Sequence, residues 1–81
     1  MAAMIVIRLP IKALKEDTQK ERDRVEENVY RVCDEWREKN PSFEDKSIDL
    51  LWGSYYDIQG RGLPDGSPQR IELFKAIKAI L

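Results

Sequence analysis

The glycine-rich stretch at residues 57–70, DIQGRGLPDGSPQR, is the segment whose residue types first suggest chemistry. It holds three of the chain's four glycines and precedes a predicted helix. Glycines in that position can cradle a phosphate, because their backbone amides approach the anion closely. A Walker loop, however, needs a lysine where this stretch reads GSPQ, and the glycine spacing is G-x-G-x-x-x-G rather than G-x-G-x-x-G. We therefore predict an ordinary loop, with Ser67 as helix N-cap and Pro68 at the first helical position.

The acidic and sulfur-containing residues give no sign of a catalytic or metal-binding set. Carboxylates occur as sequence neighbours, at 16–17, 26–27, 34–35 and 44–45, and neighbours in a helix point in different directions. The chain has no histidine, which removes the usual imidazole base and metal ligand. Cys33 is the only cysteine, so it forms no internal disulfide and builds no zinc site alone. We predict that Cys33 lies in the core, that the protein is not an enzyme and that it binds no cofactor or metal.

A group of flat side chains could bind nucleic acid instead. Trp52, Tyr55 and Tyr56 lie close together in sequence with Arg61 nearby, and aromatic rings beside arginine stack on unpaired bases. Packing in a core is the more frequent role of such residues. A weak single-stranded nucleic-acid binder that uses these four residues is thus an alternative function.

The composition indicates one small globular domain. The chain has 81 residues, of which 36 % are charged, and its formal net charge is −1. So balanced a charge argues against a dedicated nucleic-acid binder, which usually has an excess of lysine and arginine. The apolar run MIVI at 4–7 is too short for a membrane span or a signal peptide. We expect a cytoplasmic protein with a reduced thiol and no membrane contact, folded over residues 4–81, with residues 1–3 disordered or additional to the domain.

The first half of the chain predicts a strand and a long helix. MIVIRLPI at 4–11 is apolar and β-branched, which predicts a strand that is buried on both faces, or nearly so, and that ends near Pro10. Thr18 and Glu21 form a capping box at the start of the helix, and Pro41 ends it. The first two helical turns, at 19–24, have no apolar residue and are expected to be solvated and ion-paired. The predicted apolar face of this helix comprises Val25, Val29, Val32, Cys33 and Trp36.

The second half predicts a hairpin and a second helix. IDLLW at 48–52 and YYDIQG at 55–60 are strand-like and flank a short polar loop. A three-residue loop would pair Leu50 with Ile58 and Trp52 with Tyr56, which places the apolar side chains on one face. The predicted fold class is α+β with the order βαββα, a small three-stranded sheet with two helices packed on one face. The last helix carries an apolar stripe of Ile71, Phe74, Ile77 and Leu81, flanked by Leu73 and Ile80.

Several short strings in this order resemble the DinI-like family of DNA-damage-inducible regulators. They are MIVIRL as the opening strand, one long helix that ends before Pro41, the segment IDLLWGSYYDIQG that ends at Gly60, and a last helix that begins with QRI at 69–71. The resemblance covers most of the chain after Ala3. It implies a small βαββα protein of the SOS response that modulates the filament of the RecA recombinase by protein–protein contact.

The resemblance also implies a contact surface on the last helix. DinI-like proteins are understood to bind the filament largely through an acidic surface on that helix, whereas here Glu72 is its only acid and the other charges are basic. Only Glu72 is placed to take over such a role. The residues predicted to contact the partner are Gln69, Glu72 and Lys75 of the last helix, with Glu27 and Asp34 of the first helix as a second surface.

Two further hypotheses remain open at this point. A charge-dense, nearly neutral surface without a catalytic set also suits a phage-encoded inhibitor or an immunity-type partner protein. Ile80 and Leu81, at the end of the last helix, either complete the core or form a self-association patch, so we expect a monomer or a weak homodimer.

Overall fold

The element order of the protein was obtained from a computed structural model, which describes residues 4–81; the prediction for residues 1–3 lies outside the described residues. Five regular elements follow one another: strand β1 (Met4–Pro10), helix α1 (Gln19–Lys39), strand β2 (Ser47–Gly53), strand β3 (Asp57–Gly60) and helix α2 (Pro68–Ile80). Short 3-10 turns at Ile11–Ala13 and Pro41–Phe43 follow β1 and α1. The predicted α+β class and βαββα order are confirmed.

β1 lies in the centre of the sheet, and this corrects the predicted hairpin. The strand order is β2-β1-β3, with β2 parallel to β1 and β3 antiparallel to it. Ile7 therefore pairs with Leu50 on one side and with Ile58 on the other. Leu50 and Ile58 share a face of the sheet, as the alternation of their strands predicted, but β1 separates them.

The connection from β2 to β3 crosses the end of β1 rather than forming a hairpin. Two strand spacings amount to about 10 Å, which three extended residues and their flanking bonds can span. Trp52 lies opposite Leu9 of β1, and Tyr56 precedes the start of β3, so the predicted Trp52–Tyr56 pair is wrong. The central place suits β1 because it buries the most apolar strand between two neighbours.

One face of the sheet is open, so the prediction that β1 is buried, or nearly buried, on both faces is also wrong. Ile5, Ile7 and Leu9 are fully buried, whereas Met4 and Arg8, which alternate with them, are exposed. Both helices pack on the face of the buried residues, and the alternation of side chains along a strand leaves the other face to solvent.

The start of α1 shows how local signals and ion pairs define the helix. The hydroxyl of Thr18, the N-cap residue, accepts a hydrogen bond from the N–H of Glu21 at 3.2 Å. The Glu21 carboxylate bonds to Arg24 instead of returning to Thr18, so one half of the predicted capping box forms. Arg22 pairs with Asp17 at 2.8 Å, as expected for these polar turns.

The core lies between the covered face of the sheet and the two helices. The predicted apolar face of α1 is confirmed, although Val32 is only partly buried. The stripe of α2 is rotated from the predicted one: Leu73 is fully buried, whereas Ile71 is 43 % exposed. This happens because α2 packs against α1 as well as against the sheet, which centres its buried side on Leu73 and Ile77. Leu81 packs partly against the core.

Candidate functional site

The glycine-rich stretch forms the loop between β3 and α2. Gly60 approaches β1 so closely that a Cβ there would lie 3.2 Å from the Cα of Ile5. Gly62 and Gly66 have positive φ angles of 86° and 79°, a region that residues with a side chain rarely adopt. The glycines therefore allow the close packing and the positive φ angles that this loop needs, and the predicted loop is confirmed.

Arg70 ties this loop to the first turn of α2. Its guanidinium bonds to the Asp57 carboxylate at 3.0 Å, pairs with Asp65 and donates to the backbone carbonyl of Leu63 at 3.4 Å. The hydroxyl of Ser67, the N-cap residue, accepts from the backbone N–H of Arg70 at 3.3 Å. The guanidinium at this helix start is thus neutralised by carboxylates of the chain itself rather than directed at an external anion.

Cys33 is a core side chain, as predicted. It is fully buried on α1, and burial raises the pKa of its thiol to about 12, with smaller opposing effects from Arg37 and Asp34. A thiol that stays protonated and buried is a poor nucleophile and a poor metal ligand. Within residues 4–81, moreover, no group of three histidine, cysteine or acidic side chains is arranged to hold a metal ion.

We predict that native Cys33 resists alkylation by iodoacetamide at pH 8 and reacts after unfolding in urea, as followed by intact mass.

The raised pKa of Cys33 also makes the free energy of unfolding depend on pH. The unfolded thiol ionises near its ordinary pKa of 9.0, so its contribution to stability is complete below pH 9 and is lost as the pH rises toward 12. Urea unfolding of the wild type and of Cys33→Ala over this range measures the difference. Rapid labelling of the native protein would contradict the buried position.

A cleft of about 500 Å³ opens beside the end of β1, between the 54–56 connection and α2. Three aromatic rings, those of Tyr55, Tyr56 and Phe74, contribute to its lining, and Lys12 and Lys78 carry the positive charge. None of the described residues that line it is acidic. We call this feature the aromatic cleft.

Tyr56 and Phe74 join the 54–56 connection to α2. Their ring centroids lie 4.2 Å apart at a tilt of 48°, and the Tyr56 hydroxyl donates a hydrogen bond to the backbone carbonyl of Phe74 at 3.0 Å. Burial raises the pKa of the Tyr56 phenol well above its ordinary value, with smaller contributions from Cys33 and Asp57, so it remains a neutral donor. The cleft is therefore built on a fixed aromatic pair rather than on a free loop.

Tyr55 stands at the margin of the aromatic cleft and is 55 % exposed. Arg8, on the open face of the sheet, donates from Nη1 to the Tyr55 hydroxyl at 3.1 Å, and its guanidinium carbon lies 5.6 Å from the ring centroid. No ion pair in the described part of the chain involves Arg8, Lys12 or Lys78. These three cations are available to an anionic partner.

The structure brings together only part of the predicted nucleic-acid set. The two adjacent tyrosines share the aromatic cleft. Trp52 faces α1 instead: its indole N–H donates to Glu26 at 3.3 Å, and the Arg22 guanidinium lies 5.8 Å from its ring. Arg61 follows β3, at the opposite end of that strand from Tyr56 and about 16 Å away along five residue steps of extended chain. Trp52 and Arg61 therefore do not extend the surface of the two tyrosines.

The two residues of α1 that were predicted to contact a partner lie on its exposed side. Glu27 and Asp34 are seven residues apart and thus project from nearly the same side of the helix, away from the buried Val29. Asp34 pairs with Arg37, whose guanidinium also donates to the carbonyl of Lys46 at 2.8 Å.

The three predicted residues of α2 differ in exposure. Gln69 is half-buried, and its backbone carbonyl accepts a hydrogen bond from the indole N–H of Trp36 at 3.0 Å. Glu72 and Lys75 are exposed on the following turns. Lys75 also lines a small groove of about 170 Å³, and Phe74 belongs both to this groove and to the aromatic cleft. Lys75 is thus the predicted contact residue that lies next to the cleft.

Arg8, Lys12 and Lys78 are functional candidates that were not predicted from the sequence. Arg8 was recognisable as the polar residue that alternates with the apolar side chains of β1. Its approach to Tyr55, however, follows from the pairing of β1 with β3, which the hairpin hypothesis did not contain. Lys12 and Lys78 are separated by most of the chain and meet only through the packing of α2.

Comparison with known proteins adds no relative to this description. No family model, curated protein or solved structure matches the chain. Within residues 4–81, neither helix combines the length and the apolar character needed to cross a membrane.

Proposed function

We propose that this protein is a non-enzymatic regulator that acts by contact with a protein partner, and that the aromatic cleft is its main binding surface. One observation carries the proposal: the cleft combines an aromatic lining with lysines at 12 and 78, and none of its lining residues in the described part of the chain is acidic. A protein segment with apolar side chains and carboxylates complements both features.

The shape of the surface favours a peptide-like segment over a compact small molecule. Phe74 belongs to the aromatic cleft and to the neighbouring groove, so an apolar path continues along α2 past Ile71 and Lys75. A groove along a helix with regularly spaced side chains accommodates an extended or helical segment of a partner.

A RecA-type recombinase filament is the partner that the DinI-like resemblance suggests, which would place the protein in the DNA-damage response. The βαββα order is compatible with this proposal. Under it, Lys75 of α2 contacts the filament beside the aromatic cleft. Glu72 makes a further contact on the other exposed side of α2, where Gln69 supports it one turn earlier, and Glu27 and Asp34 of α1 form a second contact surface.

The charge-reversal variant Asp34→Lys/Glu72→Lys tests the helical part of this surface. We expect its affinity for RecA filaments on single-stranded DNA to fall about tenfold, since two favourable charges become repulsive. Co-sedimentation measures the affinity, and circular dichroism checks the fold. The matched control is Glu16→Lys/Asp45→Lys, which makes the same change in charge at two exposed positions elsewhere. Equal affinity of the variant and wild type would remove Asp34 and Glu72 from the proposal.

Single-stranded nucleic acid is the second candidate partner. The exposure of Tyr55 near Arg8, Lys12 and Lys78, which form no ion pair within residues 4–81, favours it. Stacking of a base on Tyr55 would contribute about 1 to 3 kcal/mol, so Tyr55→Ala should weaken binding strongly, whereas Arg61→Ala should have little effect. Fluorescence anisotropy of a labelled oligonucleotide, measured at low and at physiological salt, detects this binding. No anisotropy change at low salt would end this alternative.

A further inference from the structure

The outer edge of β2 is unprotected in the described part of the chain. Among residues 4–81, β2 pairs with β1 on one side only and has no strand on the other. Proteins usually protect such edges with proline, lysine or a very short strand, because unpaired N–H and C=O groups invite another strand. β2 reads SIDLLWG, with seven residues, no proline, no lysine and Asp49 as its one charge. The other edge strand, β3, has four residues.

The apolar side chains along this edge are incompletely covered. Ile48 and Trp52 lie on the helix-covered face and are only partly buried against the core. Leu51, on the open face, is 43 % exposed, and Tyr30 of α1 is 42 % exposed. Tyr30 follows Glu26 by one helical turn and so projects from the same side of α1 as Glu26, which bonds to Trp52 of β2.

We propose that a second copy of this chain pairs with β2 in antiparallel orientation, about a two-fold axis at Leu50, to make one continuous sheet. In this register Ile48 of one copy lies opposite Trp52 of the other, on the helix-covered face. Asp49 lies opposite Leu51 on the open face. The register is self-complementary because the half-buried Ile48 and Trp52 cover each other, as a symmetric interface requires.

The charges of α1 beside the edge agree with the same axis. α1 runs antiparallel to β2: Glu26 accepts a hydrogen bond from Trp52 near the end of the strand, whereas Arg37 donates to the carbonyl of Lys46 just before its start. The two-fold axis therefore brings the Glu26 end of one copy to the Arg37 end of the other. Tyr30 lies between Glu26 and Arg37 on α1. The two-fold axis therefore places Tyr30 of one copy next to Tyr30 of the other.

Each end of the edge carries a further charge. Arg22 lies over the ring of Trp52, and Asp34 pairs with Arg37. Arg22 is also paired with Asp17, so the Trp52 end has an excess of one negative charge, from Glu26, and the antiparallel arrangement sets Glu26 opposite Arg37. In a parallel pairing through the same edge, the two α1 helices would lie on opposite faces of the sheet, so this charge complementarity is available only to the antiparallel register.

Cysteine pairing tests the register directly. In the proposed dimer the Cβ atoms of residue 49 in one copy and residue 51 in the other lie about 4.5 to 5.5 Å apart. A small shift of the two strands brings this distance into the range of a disulfide. A mixture of Asp49→Cys and Leu51→Cys under mild oxidation should therefore yield the mixed disulfide dimer, with little dimer from either variant alone. The native thiol of Cys33 is buried and does not compete. A mixture of Gln59→Cys, on the exposed side of β3, with Leu51→Cys is the matched control and should stay uncoupled.

Sedimentation equilibrium of the wild type over a concentration series measures the association itself. We expect a rising mass with concentration, and Tyr30→Arg should raise the dimer dissociation constant about tenfold or more, because two like charges then meet at the axis. The proposal would be overturned if the protein sedimented with the mass of a monomer at every concentration. It would also be overturned if a single cysteine variant formed as much disulfide dimer as the mixture of the two variants. Because this experiment contains no partner protein, its outcome is independent of the function proposed above.

Discussion

Replacing Ile7 with alanine is expected to destabilise the protein by about 2 to 5 kcal/mol. Ile7 is fully buried on the central strand, between Leu50 of β2 and Ile58 of β3. Shortening its side chain leaves a cavity where both neighbouring strands and the helices meet. A domain of this class has only about 5 to 15 kcal/mol of stability, so the loss is a large share of the whole. Urea unfolding, followed by circular dichroism, measures it.

Val6→Ala is the matched control for this variant. Val6 is the neighbour of Ile7 on the same strand, but its side chain lies on the open face of the sheet and is only half-buried. We expect a loss of about 1 kcal/mol or less at this position, because little apolar surface returns to water. Equal losses at the two positions would show that the second face of the sheet is covered, which would contradict the described fold.

The double variant Lys12→Glu/Lys78→Glu is expected to reduce partner binding about 100-fold or more. It replaces both lysines of the aromatic cleft by acids, and like charges set against each other across an interface cost several kcal/mol. The fold should be unaffected, since both lysines are exposed and neither takes part in an ion pair within residues 4–81. Co-sedimentation with the partner and urea unfolding of the free protein give the two readouts.

The control for the cleft variant is Lys20→Glu/Lys39→Glu. These two exposed lysines lie at opposite ends of α1, and their replacement changes the net charge by the same amount. We expect the control to bind within a few-fold of the wild type, because a change in overall charge acts mainly through screened, long-range effects. Loss of binding in both variants to the same degree would assign the effect to net charge rather than to the aromatic cleft.

The features of the fold that local chemistry determines were predictable from the sequence. Thr18 and Ser67 mark the helix starts because their hydroxyls satisfy free backbone amides, and the spacing of valines along α1 identifies its buried side. These signals lie within one or two turns of the residues that they affect. The order of elements and the fold class followed from them.

Strand pairing was not predictable in the same way. The predicted hairpin paired β2 directly with β3 and so made Leu50 and Ile58 neighbours, which is the simplest pairing for consecutive strands. The observed order places Ile7 between them, because the sheet gains more by burying the apolar β1 on two sides. The open face of the sheet has the same origin, since it depends on where both helices pack rather than on the composition of β1.

The candidate site was predictable only where its residues are adjacent in sequence. Tyr55 and Tyr56 were recognised as aromatic neighbours, and they do share the cleft. The cations that accompany them come from β1, from the turn after it and from the last turns of α2, so only tertiary packing unites them. Trp52 was grouped with the tyrosines because of its sequence position, but its strand directs it toward Glu26 of α1.

Co-sedimentation of the purified protein with RecA filaments on single-stranded DNA, beside a control with DNA alone, tests the proposed function most directly. We predict that the wild type pellets only when RecA is present, and that Lys12→Glu/Lys78→Glu remains in the supernatant under the same conditions. Failure to pellet with the filament would contradict the proposed partner. Sedimentation with DNA alone would contradict the protein-contact function itself and would assign the aromatic cleft to nucleic acid.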